Sequence, residues 1–231
     1  MKRILRVVIT GGPCAGKTTA LKDIKKRLEV NGYEVLTSHE IATMIITSGA
    51  IPKPSEKGNV SLHTFQKIIL DMTIAQENAL LELASDIDSE KVAIIYDRGI
   101  LDNRAYIPHS EFQGLIDEKN ITVEQILNRY DIILHLVSTA LDKPEEYSKN
   151  NQARLESLEE AIQVELATQN AWPESNNKFI FYNDCDFEEK LRRVMKTLLE
   201  YTNKEEKHRL ILPKEISTKE KPKIYQKVLQ S

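Results

Sequence analysis

Ten consecutive residues near the N-terminus constrain this chain more than any others: Thr10, Gly11, Gly12, Pro13, Cys14, Ala15, Gly16, Lys17, Thr18 and Thr19. From Gly11 to Thr18 they fit G-x-x-x-x-G-K-[ST] in full. An apolar run over residues 4–9 precedes them. An amphipathic stretch follows, with Leu21, Ile24 and Leu28 at helical spacing and Gly32 as its stop. Strand, glycine-rich turn and helix together are the context in which this pattern predicts a phosphate-binding loop. Gly11, Gly12 and Gly16 let the backbone wrap so that successive N–H groups converge on phosphate oxygens, and the helix N-terminus adds positive potential. Lys17 is placed to reach the β- and γ-phosphates of a nucleotide, and the Thr18 hydroxyl to ligate Mg²⁺. The bland alternative is a glycine turn into a helix with no ligand.

The remaining strands are predicted from apolar runs at residues 33–38, 92–96, 131–137 and 178–182. The run at 92–96 is unbroken, as in parallel strands buried on both faces. Helical patterns fall between them. A short one covers 41–46, and a long one opening at Ser61 puts Leu62, Phe65, Ile68, Ile69, Met72, Ala75, Ala79, Leu80 and Leu83 on one stripe. Others cover 111–117, 123–129, an acidic helix with Leu155, Leu158, Ile162 and Leu166, and a closing helix over 187–201. Five apolar strands alternating with helices predict an α/β fold with a parallel sheet covered on both sides. Ligands in such sheets sit beyond the C-terminal strand ends. Gly11, Glu40, Asp97, Ser138 and Asn183 all stand where predicted strands stop.

Those ends supply the candidate chemistry. Asp97 closes a strand, where a carboxylate can hold the Mg²⁺ shell. Arg98 can clamp an oxyanion of the acceptor or of the transferring phosphoryl group; its alternative is a salt bridge to a neighbouring carboxylate. Glu40 reads equally as the base that accepts an acceptor-hydroxyl proton or as a cap of the helix behind it. Arg154 reads as a lid cation over the phosphates, or as an ion-pair partner on a solvated helix.

Bulk properties narrow the partners. A net charge of −3 argues against nucleic acid, which demands a basic surface. Cys14 and Cys185 are the two cysteines, and neither they nor the five histidines show metal-ligand or disulfide spacing. No stretch approaches membrane-spanning length, and the first strand starts too early for a signal peptide, so a cytoplasmic location is expected. Residues 1–202 are expected to form the nucleotide-binding domain. Residues 203–231, with seven Lys and one Arg against four Glu, form a basic appendage.

Gly11 to Leu21, with Asp97-Arg98-Gly99-Ile100-Leu101-Asp102 and Ala105-Tyr106, resembles a P-loop kinase-like family. That family groups the nicotinamide-riboside kinase domain of bacterial NAD regulators with the nucleotide-binding domain of the animal TRPL-translocation-defect proteins. The stretch from Tyr130-Asp131 through Asn151-Gln152-Ala153-Arg154-Leu155-Glu156 to Ala171-Trp172 is similar to the second group in particular. The resemblance implies the nucleoside-kinase strand order 2-3-1-4-5, a nucleotide with Mg²⁺, and a lid carrying Arg154. The animal relatives bind GTP and carry a second, C-terminal domain, which is not expected in residues 203–231.

Two functional readings follow. The first is a small-molecule kinase moving the γ-phosphoryl of ATP or GTP to a nucleoside-like hydroxyl. The second is a nucleotide-dependent switch with slow hydrolysis. The chain lacks the guanine motif N-K-x-D, since Asn203-Lys204-Glu205-Glu206 fails at its last position. It also lacks D-x-x-G after the third strand, because Ile100 stands three residues after Asp97. A Ras-type switch is therefore not expected.

Overall fold

The computed structural model describes residues 2–147, 157–175 and 177–211. Contacts divide the chain into two compact units, residues 1–195 and 196–231. The first holds every described strand. Of the second, the described part is residues 196–211, the C-terminal part of a single long helix.

Strands β1 (Arg3–Thr10), β2 (Glu34–Thr37), β3 (Lys91–Asp97), β4 (Ile132–Leu136) and β5 (Lys178–Phe181) form one parallel sheet in the order β2-β3-β1-β4-β5. This is the order and class expected from the sequence. The helices are α1 (Lys17–Val30), α2 (Ile41–Thr47), α3 (Leu62–Asp86), α4 (His109–Asp117), α5 (Val123–Leu127), α6 (Thr139–Asp142), α7 (Leu158–Ala171) and α8 (Phe187–Ile211). A 3₁₀ segment, Ile100–Ala105, follows β3.

Every residue of β4 is buried, as is β3 from Val92 to Tyr96, which is why both read as near-continuous apolar runs. Helix α1 buries Ala20, Ile24 and Leu28, the four-residue spacing of a helix with one face on a sheet. Helix α3 starts where Ser61 Oγ accepts the Thr64 N–H at 3.1 Å, an N-cap that satisfies one donor of the open first turn.

Three expectations need correction. On α3 the predicted apolar stripe is rotated: Ile68 and Leu83 are 42% and 57% exposed, whereas Gln66, Thr73 and Glu77 are buried. On α7 the buried face is Ala161, Glu165, Thr168 and Ala171, while Leu166 points out. Polar side chains occupy both buried faces because one borders a cavity and the other meets main-chain N–H groups. The closing helix also runs on to Ile211, past its predicted end at residue 201.

Registers fix the strand ends. Ile9 of β1 lies beside Asp97 of β3, and Thr10 beside His135 of β4. Ile94 sits in the middle of β3, fully buried in the main core cluster between β2 and β1. Ile94→Ala removes buried methyl groups where close packing resists collapse. It should lower unfolding free energy by about 2–5 kcal/mol in urea titrations.

Candidate functional site

The turn after β1 uses backbone shapes that side chains resist. Gly11 has φ +136°, and a Cβ there would lie 2.0 Å from the Leu136 carbonyl oxygen. Gly16, at the N-cap of α1, has φ +83°, and Cys14 within the turn is left-handed at +60°. Left-handed residues interspersed in such a turn direct main-chain N–H groups inward as an anion nest. Thr18 and Thr19 are exposed on the first turn of α1. Pro13 and Ala15 lie between, the Pro13 carbonyl accepting the Ser138 hydroxyl from the end of β4.

Lys17 lies back along this loop. Its Nζ donates to the Gly11 and Gly12 carbonyls at 2.9 and 2.8 Å. Burial, with Arg98 as the next influence, lowers its pKa to about 8 against the pull of Glu40, Asp97 and Asp102.

Four charged groups from the ends of β2 and β3 face the loop. Arg98 takes φ +70°, an uncommon shape for a residue with a Cβ, and its N–H donates to the Ile9 carbonyl at 3.0 Å. Such strain is found where a side chain must be aimed. Its Nε donates to Glu40 Oε1 at 2.5 Å and its Nη1 to the Gly11 carbonyl at 3.3 Å, with Asp102 Oδ1 at 3.8 Å. Of the two sequence readings for Arg98, the ion pair is therefore present. Burial works against its charge, but Tyr106, Glu40 and Asp102 more than offset it and hold the guanidinium protonated.

Glu40 is the N-cap residue of α2, yet its side chain bonds no N-cap amide. Its carboxylate turns to Arg98 and accepts the Thr43 hydroxyl at 2.6 Å. Burial raises its pKa, but Arg98 and Lys17 outweigh that and bring it down to about 2. Asp102, missed as a site residue by sequence reasoning, is 2% exposed. It accepts the Thr10 hydroxyl and, at 2.8 Å, the Gly99 N–H, which fixes the turn carrying Arg98.

Asp97 meets Ser38, whose Oγ accepts the Asp97 N–H at 2.8 Å. Its own Oδ1 is buried with no hydrogen-bond partner among the described residues. Burial pushes its pKa up, against the pull of Lys17. A buried carboxylate oxygen without a donor, beside a phosphate loop carrying an exposed Thr18, fits a divalent cation as its missing partner. Arg154, the predicted lid cation, lies outside the described residues.

Beside these groups opens a cavity of about 800 Å³. His39, Glu40 and Lys57 line it, as do Gln66, Thr73, Gln76 and Glu77 of α3. Gln66 is 3% exposed, and its main-chain carbonyl accepts the Asn103 side-chain amide at 2.9 Å. Both carboxylate oxygens of Glu77 are taken. Tyr130 OH donates to Oε1 and Arg129 Nε to Oε2, each at 2.6 Å, while Tyr130 OH accepts the Ile100 N–H at 3.0 Å. Burial raises the Glu77 pKa, opposed by Tyr130 and Arg129. Neither Gln66 nor Glu77 was legible, since each interrupts the apolar stripe that marks a helix in sequence.

No curated protein matches this chain. Among solved structures it is similar to deoxyadenosine kinase from M. mycoides with bound dATP, at a TM-score of 0.55 and 18% sequence identity. That alignment covers 84% of this chain and 98% of the kinase chain, and at such identity it shows a shared nucleoside-kinase fold. A family model described as an AAA domain matches residues 6–190, from the first strand through the start of α8. The phosphate loop, the sheet order and the extent of that match place the chain in one family: it belongs to the AAA domain family of P-loop proteins.

Proposed function

We propose that this protein is a Mg²⁺-dependent small-molecule kinase that moves the γ-phosphoryl group of ATP or GTP onto a hydroxyl of a nucleoside-like acceptor. The observation that carries the reading is the cavity. It reaches Arg98, which bonds the Gly11 carbonyl of the phosphate loop, is of small-molecule size, and is lined by Glu40, Asp97 and Arg98 together with Gln66 and Thr73 of α3. A protein that only hydrolysed nucleotide would have no use for a second, polar-walled compartment there.

The cavity's charge supports an acceptor without a phosphate of its own. Glu40, Glu77, Asp97 and Asp102 line it; of its lining cations Lys53 and Lys57 are exposed, and Arg98 already faces two of those carboxylates. An anionic acceptor would meet repulsion, whereas a sugar and base offer hydroxyls and amide-like edges to Gln66 and Thr73. The resemblance to nicotinamide-riboside kinase domains points the same way.

The residues divide the work as follows. Main-chain N–H groups of residues 14–19 and Lys17 hold the triphosphate. Thr18 and Asp97 would hold Mg²⁺, which neutralises phosphate charge when bound. Glu40 accepts the acceptor's hydroxyl proton as its oxygen bonds to the γ-phosphorus, and the bridging oxygen leaves with the nucleoside diphosphate. While paired with Arg98 the Glu40 carboxylate is a weak base. Its basicity rises as phosphoryl oxygens draw on the guanidinium, so base and oxyanion clamp engage together. Arg154, arriving from the segment before α7, would add a further cation over the transferring group.

The direct test is nucleotide turnover against a panel of nucleosides. A nucleoside should raise turnover well above hydrolysis alone. If none does, the slow-hydrolysis switch replaces the kinase. Lys17→Ala should weaken triphosphate binding by about 1.5–3 kcal/mol in calorimetry, the worth of a charged hydrogen bond. Asp97→Asn should lose the tightening that Mg²⁺ confers. Glu40→Gln should keep nucleotide affinity and lower transfer by roughly 10²–10⁴-fold.

Glu40 also makes a stability prediction. Its folded pKa, about 2, lies below the ordinary 4.5, so the ionised form stabilises the fold above pH 4.5, and that contribution fades as pH falls toward 2. Glu40→Gln should therefore destabilise the protein more at pH 6 than at pH 3 in denaturant titrations. An equal effect at both would show that Arg98 does not hold the carboxylate.

A further inference from the structure

The peptide unit joining Gly11 to Gly12 is gripped on both sides. Its carbonyl, the Gly11 oxygen, accepts Lys17 Nζ at 2.9 Å and Arg98 Nη1 at 3.3 Å. Its N–H, on Gly12, donates to Glu165 Oε2 at 2.7 Å. A trans peptide is planar and points these two groups in opposite directions, so whatever fixes one fixes the other. We infer that Glu165 of α7 is a positioning residue for the nucleotide site: by holding the Gly12 N–H it turns the Gly11 carbonyl toward Lys17 and Arg98, and so sets where both cations stand. This rests on the kinase reading above, in which those two cations meet the phosphates.

Glu165 is built for that task. Its side chain is fully buried, yet the carboxylate has donors on both oxygens. Oε2 also accepts the Ser138 N–H at 3.0 Å, and Oε1 lies 2.7 Å from His135 Nε2, itself fully buried on β4. Burial works against ionisation, but His135 and the two main-chain donors outweigh it and keep the carboxyl below its usual pKa. Bonds to a charged acceptor are roughly twice as strong as neutral ones. Ser138, fixed by the same carboxylate, donates its hydroxyl to the Pro13 carbonyl, so the bracket reaches two successive stretches of the loop.

Residue 12 is matched to this contact. A Cβ at Gly12 would lie 2.7 Å from Glu165 Oε2 and 3.0 Å from its Cα, so only glycine lets α7 come this close. This accounts for a polar residue on the buried face of α7, where an apolar one would leave both N–H groups without partners.

A carboxylate that merely held α7 to the sheet would affect stability alone, and three variants separate the two roles. Glu165→Ala removes the acceptor. Glu165→Gln keeps an oxygen and the volume but loses the charge. Thr168→Ala, also fully buried on α7, removes buried side-chain atoms and a bond to the Val164 carbonyl without removing any bond to the loop. Mg–ATP affinity is measured by calorimetry beside thermal denaturation, and the Gly12 amide by ¹H–¹⁵N NMR. Glu165→Ala should weaken Mg–ATP by about tenfold or more, the equivalent of one charge-assisted hydrogen bond. Thr168→Ala should change it by less than about twofold even where its melting temperature falls as far. In Glu165→Gln the Gly12 amide proton should move upfield, as it trades a charged acceptor for a neutral one.

Wild-type Mg–ATP affinity in Glu165→Ala, or an equal loss in Thr168→Ala, would overturn the positioning role. If Glu165→Ala does not fold, an unmoved Gly12 amide in Glu165→Gln overturns it instead. Should the wild-type protein bind no nucleotide, the kinase reading fails by itself, and the Gly12 amide still reports whether Glu165 holds this peptide.

Discussion

Arg98 and Glu40 meet at 2.5 Å across the ends of two adjacent strands, and the rest of the site is arranged around that contact. The pair is only partly exposed, 17% at Arg98 and 28% at Glu40, so each charge has lost much of its water and removing either partner leaves the other poorly compensated. The sheet supplies the meeting. Thr37 pairs with Ile95, so the residues just beyond β2 and β3 emerge side by side. The left-handed backbone at Arg98 then turns its side chain back across the Gly11 carbonyl. Asp102 completes the arrangement from below, holding Gly99 N–H and the Thr10 hydroxyl so that the turn cannot swing away.

Much of this was legible in the sequence. The strands were, because residues buried on both faces of a parallel sheet leave long apolar runs. The phosphate loop was, because its backbone shape and charge demand particular residue types at fixed spacing. Asp97, Arg98 and Glu40 could be placed at strand ends, but not paired: that Glu40 turns to Arg98 instead of capping α2 depends on a contact between residues 58 positions apart.

The faces of α3 and α7 were misread for a common reason. Periodicity locates the apolar side of a helix, and on both helices the buried side carries polar residues. Gln66 and Thr73 border a cavity, Glu77 binds Tyr130 and Arg129, and Glu165 binds two main-chain N–H groups and a histidine. A buried polar group is tolerated only where partners await it. The positions at which the hydrophobic pattern fails are thus the ones that mark the site, and only three-dimensional structure tells such a failure from an ordinary solvated face.

The loop's own hydrogen bonds explain how a cation can be kept in place for a triphosphate without being locked away from it. Lys17 is held by two neutral carbonyls, in surroundings that lower its pKa to about 8 through burial first and Arg98 second. Neutral acceptors are weaker partners for an ammonium than phosphate oxygens are. In the proposed kinase a triphosphate entering the loop would therefore compete on favourable terms for Lys17, and its charge would also remove the repulsion that Lys17 and Arg98 exert on each other. The carbonyl that hosts both cations belongs to the peptide whose N–H donates to Glu165, so in the proposed arrangement the main chain of the loop helps set where they start, together with Glu40 at Arg98. Under the proposed function, groups prepositioned in this way would need little reorganisation as charge developed on a transferring phosphoryl group, the condition under which electrostatic stabilisation lowers a barrier most.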